Sequence, residues 1–242
     1  MRVAVKTTIA SLVAGLAIAA GRTGVNATGL ELPTERGDGL ELILLLTVLA
    51  LAPSILILMT GFTRIVIVLS FVRNAVGLQQ TPPNQVIIGL ALLLTFFFMA
   101  PVVDQIGDNA YKPYVEGTIT QEEALEAAMD PLRDFMFRQT YKKDMELFMG
   151  MAGIQSVETV EDIPTRALIP AFVTSELKRA VQIGFFIFVP FLVIDMIVAS
   201  TLMSMGMMML PPTVISLPFK ILLFVLVDGW GMTIKMLFES FA

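Results

Sequence analysis

The 242-residue chain contains no cysteine, no histidine and a single tryptophan, and only 15% of its residues are charged. The first two absences remove whole chemistries. There is no disulfide framework, zinc finger, histidine-ligated haem, Cys–His dyad or Ser–His–Asp triad to be built from these residues. Carboxylate–metal sites and Ser–Lys or paired-Asp chemistry stay open. The shortage of charge stands against a hydrophobic share of 56% and a mean hydropathy of +0.80. That excludes disordered chains, which are polar and highly charged. It also departs from soluble domains, which are about 45–50% apolar and about 25% charged. A net charge of −5 and a pI near 4.8 argue against nucleic acid as a partner. The composition is that of a helical membrane protein.

The few charges are bunched. Asp104 to Arg179 holds 14 acidic and 8 basic residues, whereas Leu42 to Val103 carries only Arg64 and Arg73, and Ile183 to Val227 only Asp195 and Lys220. Two hydrophobic blocks therefore flank a charged middle. Ahead of them, Arg2 and Lys6 precede the apolar run Ile9 to Ala20, with small-residue exits at 17–19 and 25–27. A positive start, a short apolar run and an A-x-A-like exit predict a cleaved signal peptide over 1–27. The run falls short of the roughly 20 apolar residues of a span; a retained N-terminal helix is the alternative. Cleavage after Ala20 or Ala27 puts the mature N-terminus, with a leader over 28–39, outside the cytoplasmic membrane.

Residues 40–103 read as a first hydrophobic helical hairpin. Leu40 to Met59 forms one apolar segment interrupted by Pro53, and Val86 to Val103 forms the other. Between them, Gln79-Gln80-Thr81-Pro82-Pro83-Asn84 predicts a helix break, because neither proline donates a backbone hydrogen bond and each disfavours a helical residue before it. Arg64 and Arg73 are the exceptions to the apolar pattern. A charge at mid-bilayer costs about 2.5–3.5 kcal/mol on insertion scales. The simpler reading puts both in a cytoplasmic turn; the sharper one buries them in protein, paired with acids of a neighbouring subunit.

Residues 104–180 predict amphipathic helices. Thr120-x-x-Glu123 is a capping-box pattern, and Asp130-Pro131 offers a second helix start. Leu132, Phe135, Met136 and Gln139 then share one face. Ile163-Pro164 to Ile169-Pro170 reads as a connector. Glu122, Glu123 and Glu126 are explained by a solvated helix start, where carboxylates favour the positive end of the dipole. Residues 181–242 read as a second hydrophobic hairpin, carrying the loop Met203-Ser204-Met205-Gly206-Met207-Met208-Met209-Leu210-Pro211-Pro212.

Several strings together are specific. Phe62-Thr63-Arg64-Ile65-Val66-Ile67-Val68-Leu69, Arg73-Asn74-Ala75-Val76-Gly77 and Gln79 to Val86 occur in that order. Pro170 to Ala180, with Gln182-Ile183-Gly184-Phe185, and the segments around Asp195, Ile215 to Lys220 and Phe224 to Trp230 continue the pattern. They resemble the FliP family of flagellar export-gate proteins, shared with virulence type III secretion systems. One departure is Val181, where the family usually carries Phe.

The resemblance implies an all-α fold of membrane-associated helical hairpins with proline-broken helices, assembling into a cone-shaped helical oligomer. It implies a pentamer with FliQ and FliR as partners, FlhA and FlhB nearby, membrane lipid around it, and unfolded flagellar polypeptides passing through. The setting it implies is the inner membrane at the flagellar basal body, with the mature N-terminus on the periplasmic side. On composition alone Met207, Met208 and Met209 are adaptable packing filler; the resemblance implies a gasket that narrows the pore. Asp195 and Lys220 are expected to form a structural ion pair, with each other or with Arg64 or Arg73 of a neighbour, in preference to a proton relay. Glu176 is a candidate intersubunit contact. Neither a catalytic site nor a cofactor or metal is expected. The alternatives are a virulence-system gate subunit, a small self-contained transporter, for which no internal repeat is evident, and an intramembrane aspartyl enzyme using Asp195 and Asp228. The last lacks the Gly-x-Gly-Asp and Tyr-Asp contexts. Hydropathy offers about four spans. The interrupting prolines and charges predict that most apolar surface packs on neighbouring subunits, since irregular backbone is tolerated at membrane depth only inside protein or beside a water-filled cavity.

Overall fold

Arg64, Val68, Val72 and Val76 recur every four residues along one helix, and all four are buried. That helix, α1 (Phe62–Val76), is the element around which the others pack. The computed structural model describes residues 57–78, 80–154, 162–207 and 209–241, together with Thr47, Ala50 and Ser54. The chain divides into two units, Met1–Ala52 and Pro53–Ala242. Within the first, Thr47 and Ala50 are helical. The signal peptide, the leader, Pro53 and most of the segment from Leu40 to Met59 lie outside the described residues, as do Gln79 and Met208.

α1 ends at Gly77, whose φ of 88° lets the N–H groups of Gly77 and Leu78 reach the carbonyls of Asn74 and Arg73. Glycine takes this left-handed conformation without a Cβ clash. The chain turns through Gln80–Pro83, where the Thr81–Pro82 peptide is cis, into α2 (Asn84–Ile106). A π-type turn, Gly107–Tyr111, joins α2 to the short α3 (Lys112–Val115). α4 (Gln121–Gln139) opens on a capping box: the Thr120 hydroxyl accepts from Glu123 N–H at 3.3 Å, and Glu123 Oε2 accepts from Thr120 N–H at 2.8 Å. α5 (Lys142–Met151) follows, then α6 (Thr165–Ser204), α7 (Pro212–Leu226) and α8 (Gly229–Phe241). Among the described residues there is no strand, and the fold is all-helical.

α6 lies along α1 and also meets α4, α5 and α7, while α1 packs on α2. Its buried stripe is Leu168, Phe172, Glu176, Ala180 and Gly184, again at intervals of four. These two stripes face each other, as ridges along i±4 rows do when helices pack. Gly184 sets their approach, because a Cβ there would stand 2.4 Å from the Phe71 ring. One apolar cluster joins Ile65, Val68 and Leu69 of α1 to Ile87 and Ala91 of α2, Ala180 of α6 and Leu237 of α8. A second joins Met136 of α4 and Met145 of α5 to Leu168, Ala171 and Phe172 of α6.

The structure corrects the reading of Pro131 and Pro170. Pro101, Pro131, Pro170, Pro190 and Pro218 all lie inside continuous helices. Asp130-Pro131 therefore starts no new helix, and the connector ends at Pro164, not Pro170. A proline removes one backbone hydrogen bond and kinks its helix, but burial on both sides of it holds the helix together, as Leu168, Ala171 and Phe172 do around Pro170. Among the described residues the breaks fall at 80–83, as the sequence predicts, around Gly206 and Pro211, and at 227–228, besides the turns at 116–120 and 140–141. The segment limits at 103/104 and 180/181 both fall within helices, α2 and α6.

Among the described residues two helical rods are long and apolar enough to cross a membrane, Asn84–Val115 and Thr165–Ser204. A third crossing is made if α7 and α8, bent by 63°, count as one. Much of their surface is apolar and uncovered, including Phe96 and Phe97 on α2 and Phe185 and Phe186 on α6.

Substituting Gly184→Leu should force α1 and α6 apart and cost about 1–3 kcal/mol, the usual range for overpacking. The thermal midpoint of the detergent-solubilised chain measures it, and Phe71→Ala in the same chain should restore part of the loss. An unchanged midpoint would remove the crossing as a constraint.

Candidate functional site

Arg64 and Glu176 each occupy a position on a core stripe, so neither reaches water: both side chains are 0% exposed. A buried charge survives only when paired and hydrogen-bonded. Arg64 has five N–H donors, and the fold supplies five acceptor contacts. Nε donates to Glu176 Oε2 at 3.0 Å, and Nη2 donates to Glu176 Oε1 and to Gln139 Oε1 at 2.9 Å. Nη1 donates to the Ser240 carbonyl at 2.6 Å and the Ser240 hydroxyl at 3.0 Å. The Phe241 ring lies over the guanidinium, 3.9 Å from Cζ to its centroid, a favourable placement of a cation against the ring's negative face. Gly61 leaves the space for that ring, since a Cβ there would stand 2.4 Å from it.

Gln139 is the adaptor of the cluster. Its Oε1 also accepts from Arg179 Nη1 at 2.8 Å, and its Nε2 donates to the Phe241 carbonyl at 3.1 Å. Arg179 lies over the Tyr141 ring at 4.7 Å. Four helices, α1, α4, α6 and α8, meet here. Arg64 thus lies in a buried helix and not in an exposed turn, and it and Glu176 are paired with each other within the one chain. Arg179, Ser240 and Phe241 were not singled out by sequence, and Gln139 was placed only on a helix face. The available signal was a lone amide, Gln139, on an otherwise apolar helix face.

Arg73 lies elsewhere. Its Nη1 donates to Asn84 Oδ1 at 2.6 Å and to the Pro82 carbonyl at 3.3 Å. It ties the last turn of α1 to the start of α2 across the break that contains Gln80, Pro82, Pro83 and Asn84. A third cluster docks α5 on α6. Asp144 accepts from Lys178 and, at 2.8 Å, from the Ser175 hydroxyl, while Ser175 Oγ accepts from Tyr141 N–H at 3.0 Å. Burial pushes the Asp144 carboxyl up, but the hydrogen bonds and charge of Lys178, with Ser175, outweigh it and hold it below the usual range.

Asp195 and Lys220 meet between α6 and α7. Lys220 Nζ donates to Asp195 Oδ2 at 2.5 Å, and the Ser216 hydroxyl donates to Oδ1 at 2.6 Å. Both carboxylate oxygens are therefore engaged. The Asp228 carboxylate instead accepts from Gly231 N–H at 3.4 Å, so the two acids do not share a proton. Among the described residues no group of three or more acidic side chains could hold a metal ion.

Beyond the Asp195–Lys220 pair the α6–α7 hairpin ends in methionines. Met205 is 72% exposed and Met209 is 97% exposed, with Met203 and Met207 exposed as well. Gly206, at φ 76°, turns the chain there.

The FliP family model matches residues 45–237. The chain is 57% identical over 209 residues to the flagellar biosynthetic protein FliP of Bacillus subtilis, covering 86% of this chain and 95% of that protein. It is 53% identical to the protein of that name from Pectobacterium carotovorum, over 83% of this chain and 78% of the relative. With that of Caulobacter vibrioides the identity is 48%, over 98% of this chain and 91% of the relative. Val181, the departure noted above, is exposed, so the smaller side chain opens no cavity in the core.

Replacing Arg64 by Met strands Glu176 in the core. Breaking a buried pair costs about 3–5 kcal/mol, so the unfolding midpoint in detergent should fall steeply, and Glu176→Met should recover part of the loss. An unaltered midpoint in Arg64→Met would show that the pair does not hold the helices together. The Asp144 cluster predicts an acid-sensitive dock. Its contribution is complete above the ordinary Asp value of about 3.9 and is lost as pH falls through the lowered folded-state value. The protection of α5 amides, taken relative to their intrinsic exchange rate at each pH, should therefore fall on acidification, and Asp144→Asn should flatten that response.

Proposed function

The chain belongs to the FliP family, and on that premise we propose that it is a non-enzymatic, pore-forming subunit of the flagellar type III protein export gate. Several copies, a pentamer, join FliQ and FliR in a helical cone in the bacterial cytoplasmic membrane at the flagellar basal body. FlhA and FlhB lie nearby, and the mature N-terminus is on the periplasmic side. Unfolded flagellar subunits pass through the centre. Flagellar service is preferred to virulence secretion because the relatives described above carry the flagellar name.

The observation that carries this reading is the exposed methionine tip of the α6–α7 hairpin. An apolar tip left in the open by one chain marks a place where other surfaces meet it. Thioether side chains are unbranched and polarizable, so they adapt to irregular neighbours. Copies of the tip gathered on an axis would close on one another at rest and give way around a threading polypeptide. Met207, Met208 and Met209 form the gasket in this proposal. The Asp195–Lys220–Ser216 contact braces the hairpin legs beneath it, a structural role that occupies both carboxylate oxygens and leaves no free acid pair for hydrolysis. The uncovered apolar faces of α2 and α6 are the surfaces that neighbouring subunits and lipid would cover.

Replacing all three methionines by alanine should leave the assembly intact, as judged by the mass of the detergent-extracted complex. It should also make membranes that contain the complex leak small ions. Unchanged permeability with normal assembly would overturn the gasket.

A further inference from the structure

α8 is held unevenly. At its start, the chain leaves α7 through Val227 and Asp228, and Asp228 adopts φ 50°, the one described non-glycine residue with positive φ. That conformation is uncommon for residues other than glycine, Asn and Asp. The bend it makes is 63°. Trp230 sits just beyond it, edge-on to Phe224 of α7 with centroids 5.5 Å apart, and Phe224 in turn contacts Phe191 of α6. Along the middle of α8, Met232 and Phe238 are exposed, while Thr233 and Leu237 on the other face are buried. At its far end the helix is anchored strongly: Ser240 satisfies both protons of Arg64 Nη1, the Phe241 carbonyl accepts from Gln139, and the Phe241 ring packs on Arg64, Phe98 and Phe135.

We propose that α8 is a strap, hinged at Asp228 and latched by Ser240 and Phe241 onto the buried Arg64 cluster, which can release as a unit while α1 and α6 stay packed. The latch is concentrated in the last turn and a half of α8, where the fully buried Leu237 adds an apolar contact to those of Ser240 and Phe241. Most of the cluster that joins α1 to α6 and α2 lies outside it: Ile65, Val68 and Leu69 share that cluster with Ile87, Ala91 and Ala180, to which α8 adds Leu237 and the partly buried Phe241. Glu176 and Gln139 still accept from three of the five Arg64 donors when the strap is off, and water entering behind Phe241 can accept from the two Nη1 protons that Ser240 releases. Cooperative local openings of this kind involve contiguous segments with few buried contacts. Release would move Trp230 away from Phe224, and the end of α7, the second leg of the methionine-tipped hairpin, would keep only its packing on Ala75, Val76 and Phe191.

The chain supplies its own probe, because Trp230 is the only tryptophan. The full chain in detergent is compared with Phe241→Ala, the milder Ser240→Ala and Phe241→Leu, and Met232→Ala as a surface control on the same helix. Hydrogen exchange is followed peptide by peptide alongside Trp230 emission. In Phe241→Ala the amides of 229–241 should exchange at least tenfold faster and the emission should shift. Residues 62–76 and 165–184 should keep their protection. Phe241→Leu and Ser240→Ala should fall between this and the parent, and Met232→Ala should match the parent. Unchanged exchange in α8 for Phe241→Ala overturns the latch. Equal loss of protection in α1, α6 and α8 overturns the strap, by making α8 part of one cooperative core. If Phe241→Ala does not fold, Ser240→Ala and Phe241→Leu decide between the same outcomes.

Discussion

A guanidinium placed in an apolar interior must have its donors satisfied there, and the arrangement of helices follows from how this is done. Arg64 sits on the core stripe of α1, where no water reaches it. Each of its acceptors comes from a different part of the chain: Glu176 from α6, Gln139 from α4 and Ser240 from α8. Unmet, such a group would cost several kcal/mol. Met, it fixes which faces of four helices may meet and at what register, because a shift of any one strands a donor. The apolar contacts around it are less particular. They would tolerate several packings of similar area, whereas the hydrogen-bond geometry tolerates far fewer.

The other charged contacts do similar work at smaller scale. Arg73 crosses from α1 to the start of α2 and closes the proline turn. Asp144 with Lys178 and Ser175 seats α5 on α6. Asp195 with Lys220 and Ser216 joins the legs of the α6–α7 hairpin. In a chain so poor in charge, each of these groups links elements that apolar packing alone would leave free to slide.

The sequence showed the two apolar blocks, the capping box at Thr120 and Glu123, the break at Pro82-Pro83 and the strings that place the chain in its family. It showed the other prolines without showing their consequence. A proline acts locally, while the continuity of a helix is decided by packing along its length, so Pro131 and Pro170 proved to be interior. The partners of Arg64 were hidden for a different reason. Glu176 and Ser240 lie 112 and 176 residues away, and no periodicity within a helix reports contacts at such separations. What was visible was that Arg64 repeats with Val68, Val72 and Val76, and Glu176 with Phe172 and Ala180. A charged residue in step with a core stripe is a sign of burial. In an almost wholly apolar stretch such as α1 that step is easily lost.

Those sequence separations bear on how the molecule is made. α1 leaves the ribosome long before α6, and longer still before α8. Through that interval its arginine has neither carboxylate nor carbonyl to receive it. A helix carrying an unpaired arginine is poorly suited to lipid. The cluster that stabilises the finished fold therefore cannot assemble until α6 and α8 have been made, and the order of synthesis makes α8 the last of its four helices.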